Sequence, residues 1–303
     1  MMFLRKLLSL GKRAVRDLLD VRLRSTLRSR PRPSRSDISI SDLISQPVLV
    51  VVAHPDDEVI AAGAILARFP RTGVICVTDG APRRGAYARE AGFSNWPDYA
   101  AARRREAETA LALLGREITP MHNLGVADQE AIFELIDTTR HLVDRFRSGF
   151  SYVLTHAYEG GHPDHDATAF CVHAACALIA KEGATPPVIV EAPLYSAPGG
   201  GDLIFSKFVP NADAGSPISL SLTPADKDLK RRMFDCHVTQ KKVFAVFHMD
   251  EEIFRLAPRY HFSSPPHSGD VGFNKFGWSV TGRVWRTHAW RAMRELGVLE
   301  ELA

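Results

Sequence analysis

The stretch Val48-Leu-Val-Val-Val-Ala-His54-Pro-Asp56-Asp57-Glu58 constrains the fold more than any other part of the chain. Its β-branched run carries no polar side chain before His54, which reads as a buried central strand over Val48–Ala53. An imidazole, a rigid proline and three carboxylates follow at once. The next residues are rich in Ala, Ile and Leu and predict a helix over Glu58–Phe69, with Asp56 and Asp57 at its electropositive N-terminus. In open α/β sheets, ligands bind outside the carboxyl ends of the strands. A His-x-Asp-Asp cluster at that place supplies both metal ligands and a base.

A second cluster, Tyr152-Val-Leu-Thr-His156-Ala-Tyr-Glu-Gly160-Gly-His162-Pro-Asp164-His165-Asp166, repeats the pattern. An apolar strand ends in a glycine-rich turn, and two imidazoles and a carboxylate follow within four residues. That set suits one divalent ion and the groups that orient its ligands. A single His or Asp at a loop or helix cap is usually structural; two such clusters, each at the carboxyl end of a strand, are not.

Between and beyond the clusters the chain alternates strand and helix. Gly73–Thr78 predicts a strand ending at Asp79-Gly80, and Ala81–Tyr99 a long polar loop at the same end of the sheet. Ala100–Leu114 predicts a helix, Met121–Leu124 a short strand and Gln129–Arg147 a helix. Tyr152–Thr155 is a strand, Asp166–Lys181 a helix and Val188–Glu191 a further strand. The expected fold is α/β: a Rossmann-like, mostly parallel sheet with helices on both faces. A small C-terminal decoration completes it, with short strands at Phe205–Val209 and Ile218–Leu222. A long helix is expected over Pro224–Phe247, opened by the cap-and-proline pair Thr223-Pro224, and a surface loop over Tyr260–Gly277.

Charge divides the chain. Residues 1–36 hold eleven Lys and Arg against Asp17 and Asp20, a net +9. The whole 303-residue chain carries only +3, so the remainder is mildly acidic. We read 1–45 as a basic leader and linker and 46–303 as the domain. In the leader, Phe3, Leu4, Leu7, Leu8, Val15, Leu18 and Leu19 recur at helical spacing between basic residues. That pattern allows peripheral contact with an anionic membrane surface, a helix packed on its own domain, a solvated tail, or a mitochondrial-type presequence. A secretory signal is not expected, because the apolar run is cut short by Gly11-Lys12-Arg13. A nucleic-acid arm is not expected either, for want of interleaved aromatics. The four cysteines lack metal-type spacing, which suggests reduced thiols and a cytoplasmic protein.

Taken as one site, His54, Asp57 and His165 form a two-histidine, one-carboxylate set, as a catalytic zinc requires; iron(II) suits the same set. Bound zinc lowers the pKa of water from 15.7 towards ~7. Asp56 is then placed to take the water's proton. His162 can polarise the carbonyl oxygen, or stabilise the oxyanion and protonate the leaving amine. Asp164 can hold His162 charged. His156, His237, Tyr158, Trp96 and Tyr99 read more readily as structural, with Trp96 and Tyr99 also able to form a sugar platform.

These motifs resemble those of the LmbE/PIG-L-like zinc-dependent N-deacetylases. The resemblance rests on Ala53-His54-Pro-Asp-Asp-Glu58 with Gly63, and on His162-Pro-Asp-His165. Weaker matches are Thr78-Asp-Gly80, Arg103-x-x-Glu106, Leu124-Gly-x-x-Asp128 and His237-x-Thr-Gln240. It spans about residues 46–245 and implies a Rossmann-like fold. It also implies one zinc on His54, Asp57 and His165, Asp56 as base and His162 as the second catalytic group. The implied substrate is an N-acetylglucosamine unit of a glycoconjugate, with Arg103 and Asp128 near the sugar; Asp79, at the end of its strand, is a third candidate there. The chain departs from the family pattern at Ala64 and Ala81 and in the long loop to Tyr99, which weakens any inference about substrate. The alternatives are an amidase for another N-acyl group, or a non-catalytic Rossmann-like module. Against the last, no Gly-x-Gly-x-x-Gly follows the first strand.

Overall fold

All five residues of strand β1, Val48–Val52, are buried. Leu49 and Val51 enter one apolar cluster, whereas Val48, Val50 and Val52 enter another. Strand alternation thus sends successive side chains into two cores, one on each face of the sheet. The computed structural model describes residues 38–115 and 121–303, which lie within one compact unit, Asp37–Ala303. The basic leader, and every expectation about its helix, lies outside the described residues.

In chain order the elements are α1 (Ile40–Ile44), β1, α2 (Asp57–Ala62), β2 (Thr72–Thr78), α3 (Ala86–Glu90) and α4 (Trp96–Ala112). Next come β3 (His122–Val126), α5 (Leu135–Phe146), β4 (Tyr152–His156), α6 (Pro163–Lys181) and β5 (Val188–Ala192). The C-terminal part holds β6 (Tyr195–Ser196), β7 (Ile204–Phe205), β8 (Ile218–Ser221), α7 (Pro224–Cys236) and α8 (Lys241–Phe244). It ends with β9 (Glu251–Leu256), α9 (Gly282–Leu296) and α10 (Leu299–Leu302). The main sheet has the order β3-β2-β1-β4-β5-β9-β8. It is parallel from β3 to β5, with β9 antiparallel to both of its neighbours. The α/β class and the mostly parallel sheet are as expected.

Three long helices expected from periodicity are broken, each where a side-chain carboxylate captures backbone N–H groups. The segment 58–69 stops being α-helical at Ala62 and resumes as a 3-10 turn at Ile65–Arg68. There Glu252 accepts from Ala64 N–H at 2.8 Å and Ile65 N–H at 2.9 Å. Asp164 likewise accepts from Gln129 N–H at 2.6 Å and Ala131 N–H at 3.1 Å, which delays α5 to Leu135. The segment 224–247 breaks after Cys236, and Glu106 accepts from both the N–H and the hydroxyl of Thr239.

Other boundaries moved for local reasons. α4 starts at Trp96, inside the expected loop, because Asn95 caps it by accepting from Asp98 N–H. The same expected loop contains α3. Residues 40–44, assigned to the linker, form α1 with a Ser39 capping box and a fully buried Leu43. Strand β9 and helix α9 had no counterpart in the sequence reading. Among the described residues no helix is long and apolar enough to cross a membrane.

Candidate metal centre

Strand order places the site. From β1 the chain turns to β2 on one side, while β4 flanks β1 on the other. The crevice between the carboxyl ends of β1 and β4 is therefore the topological switch point, where open α/β sheets bind their ligands. His54 and Asp56 leave β1 there, and Asp57 opens α2. His162 caps α6 through Nδ1, which accepts from Asp164 N–H at 3.1 Å, and His165 lies in that helix's first turn. The approach needs glycine: a β-carbon on Gly161 would lie 1.9 Å from the Tyr195 carbonyl oxygen.

His54 Nδ1, Asp57 Oδ2 and His165 Nε2 form a triangle. Its edges are 3.1 Å (His54–Asp57), 3.2 Å (His54–His165) and 3.4 Å (His165–Asp57). Ligand bonds of ~2.0–2.2 Å at tetrahedral angles separate donor atoms by about 3.3–3.6 Å; the triangle is slightly tighter than one face of a tetrahedral site, with its longest edge inside that range. All three side chains are buried. The remaining nitrogen of His54, Nε2, lies 3.3 Å from Asp128 Oδ1 and 3.5 Å from Asp164 Oδ2. Carboxylates at that position fix the proton on Nε2 and leave the Nδ1 lone pair free for a metal. The donor set, its spacing and its supporting carboxylates fit a divalent ion.

The field in the crevice favours a cation. Burial alone would lower the His54 pKa, but Asp128 and Asp57 outweigh it and hold it well above the ordinary value. Burial opposes ionisation of Asp57, yet His165, His54 and His156 hold that carboxyl well below its usual range. His156 also approaches Asp57 Oδ2, at 3.4 Å; Asp57, His156 and His165 are one of three groups of metal-ligand type among the described residues, beside His54–His162–His165 and His54–Asp128–His162–Asp164. His156 Nε2, however, accepts from Ala53 N–H at 2.8 Å, which occupies the lone pair a metal would need. It stacks on His165 at 4.2 Å with an interplanar angle of 2°. Burial, then His165, pushes its pKa down to about 4. We read His156 as a neutral spacer that locks the His165 ring.

Several expected site residues sit otherwise than the sequence suggested. Asp164 does not hold the His162 ring: its carboxylate serves Gln129 and Ala131 and faces His54. Asp128, expected near the sugar, lies between two imidazoles, 3.3 Å from His54 Nε2 and 3.9 Å from His162 Nε2. Arg103, expected to reach the sugar, is buried; it donates to Asp56 Oδ2 and to the Gly80 carbonyl, both at 2.6 Å. Asp79 accepts from Ala81 N–H and pairs with Arg83 at 2.9 Å, so its carboxylate serves its own turn.

Burial raises the pKa of Asp56, and the Arg103 charge opposes that rise. Glu58, next to the cluster and not singled out in the sequence, is pushed up to about 8 by burial and by Asp56. Burial, then His54 and His165, holds His162 well below the usual imidazole range. Since its Nδ1 accepts from Asp164 N–H, a neutral His162 carries its proton on Nε2. The bland readings of Tyr158 and Tyr99 hold: Tyr158 donates to the Ser264 carbonyl, and Tyr99 OH accepts from Gln240. His237 is buried, with its ring 5.1 Å from that of Phe244.

Fold and site define an α/β protein with a two-histidine, one-carboxylate centre at the mouth of a parallel sheet. Residues 49–176 match the family model PIG-L, described as GlcNAc-PI de-N-acetylase. The chain is 32% identical over 139 residues to a probable N-acetyl-alpha-D-glucosaminyl L-malate deacetylase 2 of Bacillus anthracis, covering 44% of this chain and 60% of that protein. The Bacillus cereus counterpart is also 32% identical, over 141 residues, covering 45% of this chain and 63% of that protein. The chain thus spans about three fifths of the length of these curated relatives. Among solved structures, the A40926 pseudoaglycone deacetylase Dbv21 superposes with a TM-score of 0.54 at 19% identity, covering 70% of this chain and 96% of that one. A deacetylase of teicoplanin biosynthesis, in complex with teicoplanin, gives 0.52 at 17% identity, covering 69% and 97%. At such identities these two likenesses bear on the fold alone.

Proposed function

We propose that the protein is a metal-dependent hydrolase that removes the N-acetyl group from an N-acetylglucosamine-like unit of a glycoconjugate. The observation that carries this reading is the 3.1–3.4 Å triangle of His54, Asp57 and His165 with Asp56 beside it. The curated relatives, named as N-acetylglucosaminyl malate deacetylases, support the amino-sugar class.

His54, Asp57 and His165 would hold the ion, with zinc the first candidate and iron(II) the second. When bound, such an ion supplies the Lewis acid that polarises the amide carbonyl and lowers the pKa of the attacking water. Asp56 takes the proton of that water. Its raised pKa brings it nearer the range of an effective base, and Arg103 fixes the orientation of its carboxylate. His162 Nε2–H donates a hydrogen bond to the oxygen on which negative charge develops. Asp56 then returns its proton to the departing amine. Asp164 acts on the centre through His54 and the loop at 129–131, and Asp128 holds the facing edges of His54 and His162.

The test is acetate release from a panel of N-acetylglucosamine conjugates by metal-quantified protein, beside an Asp56→Asn variant. The expected outcome is a loss of about 10²–10⁴-fold in the variant, with metal retained. Equal rates in the two proteins would remove Asp56 from the chemistry. The second reading, an amidase for a different N-acyl group, predicts metal binding without release from any conjugate.

A further inference from the structure

An aromatic wall begins at His162 and runs outward to solvent. The Trp278 ring meets His162 edge-on, with centroids 4.7 Å apart. Phe276 lies 4.8 Å beyond it. The indole N–H of Trp278 donates to Tyr87 OH at 3.4 Å, which joins the loop before α9 to α3, about 190 residues apart in sequence. Trp278 is half-buried, whereas Tyr87 is 43% and Phe276 40% exposed. Buried aromatics fill cores; these present open ring surface beside a crevice that already holds the hydrolytic groups.

We propose that Trp278, Tyr87 and Phe276 form a platform for the sugar ring next to the N-acetylated unit, so that the preferred substrate is a glycoside of at least two rings. This proposal rests on the deacetylase reading of the adjoining crevice. Its substance is continuity: the Trp278 ring packs directly on His162, so a ring attached to a unit whose amide lies near His162 has that indole beside it. The wall offers apolar ring surface together with the Tyr87 hydroxyl, which accepts from the Trp278 indole and keeps its own proton to donate. A pyranose ring likewise has C–H patches flanked by hydroxyls, so it can stack and hydrogen-bond there at once. An acyl chain would leave that hydroxyl proton unanswered. Tyr87 belongs to the excursion over 81–99, where the chain departs from the pattern it otherwise resembles.

The experiment compares kcat/KM for acetate release from N,N′-diacetylchitobiose and from methyl β-N-acetylglucosaminide. The proteins are the metal-loaded wild type, Tyr87→Ala and Phe276→Ala. In the wild type the disaccharide should exceed the monosaccharide by about tenfold, the order of one or two ring contacts, and the ratio should fall towards one in each variant. Both variants change exposed side chains, and a melting curve confirms that each is folded. A ratio near one in the wild type, or an unchanged ratio in both variants, overturns the platform while leaving the deacetylase reading intact. If neither sugar releases acetate, the deacetylase reading falls instead. Saturation-transfer NMR of the disaccharide on metal-loaded Asp56→Asn protein then decides. Transfer to both rings, reduced at one of them by Tyr87→Ala, keeps the platform; transfer to one ring only overturns it.

Discussion

Gly80 has φ +69°, and a β-carbon there would lie 2.5 Å from Arg103 Nη1. The guanidinium that orients Asp56 therefore packs against the bare α-carbon of a left-handed glycine. Gly80→Ala should cost about 1–2 kcal/mol of stability for its backbone conformation and push Arg103 off Asp56. The expected result is a kcat reduced at least about tenfold, with metal content unchanged, as steady-state kinetics on metal-quantified protein would report. Retention of full kcat would mean that Arg103 does not set the geometry of Asp56. Residue identity was readable wherever spacing is local: His54 and Asp57 are three apart across a strand–helix turn, and His165 follows a capping His-Pro. Partnerships were not readable. Asp164 is two residues from His162, yet its carboxylate reaches Gln129 and Ala131. Asp128, 34 residues from His162 in sequence, is the carboxylate that faces it. Nothing in a linear pattern states which of two nearby acids turns towards a ring.

Helix ends carry the same lesson at the scale of elements. Periodicity cannot register that Glu252, from β9, takes the N–H groups of Ala64 and Ile65. β9 itself was hidden because two of its inward positions are charged, Glu252 paired with Lys230 and Arg255 paired with Glu191. A strand that buries an ion-paired charge on each of its two faces, Glu252 on one and Arg255 on the other, does not alternate in hydrophobicity. Lys230 Nζ lies 2.8 Å from Glu252 and donates to the Ile60 carbonyl at 2.9 Å, tying α7 and β9 to the C-terminal end of α2. Lys230→Met should therefore destabilise the protein by roughly 3–5 kcal/mol, because it leaves Glu252 buried without its cation. The double variant Lys230→Met/Glu252→Gln should recover a large part of that loss. Urea unfolding of the three proteins checks both; a single variant within about 0.5 kcal/mol of wild type would show that the pair has no structural weight.

For the whole molecule, the α/β class and the location of the crevice followed from strand–helix alternation and from two polar clusters at strand ends. The two ion-paired C-terminal strand positions and the aromatic wall depend on contacts distant in sequence. Global stability carries a pH signature from His237, which burial and then the Arg103 charge push down to about 3. A histidine held neutral stabilises fully above its unfolded pKa near 6.5, and that contribution is lost as pH falls towards 3. The stability difference between wild type and His237→Gln should therefore shrink by about 1.4 kcal/mol for each pH unit below ~6. A pH-independent difference would refute the neutral, buried state. The measurement closest to the central claim is metal content, by mass spectrometry, of purified wild type, His165→Ala and His156→Gln. The account predicts about one divalent ion per chain in wild type and in His156→Gln, and none in His165→Ala. Metal retained in His165→Ala, or lost only in His156→Gln, would contradict the His54–Asp57–His165 centre.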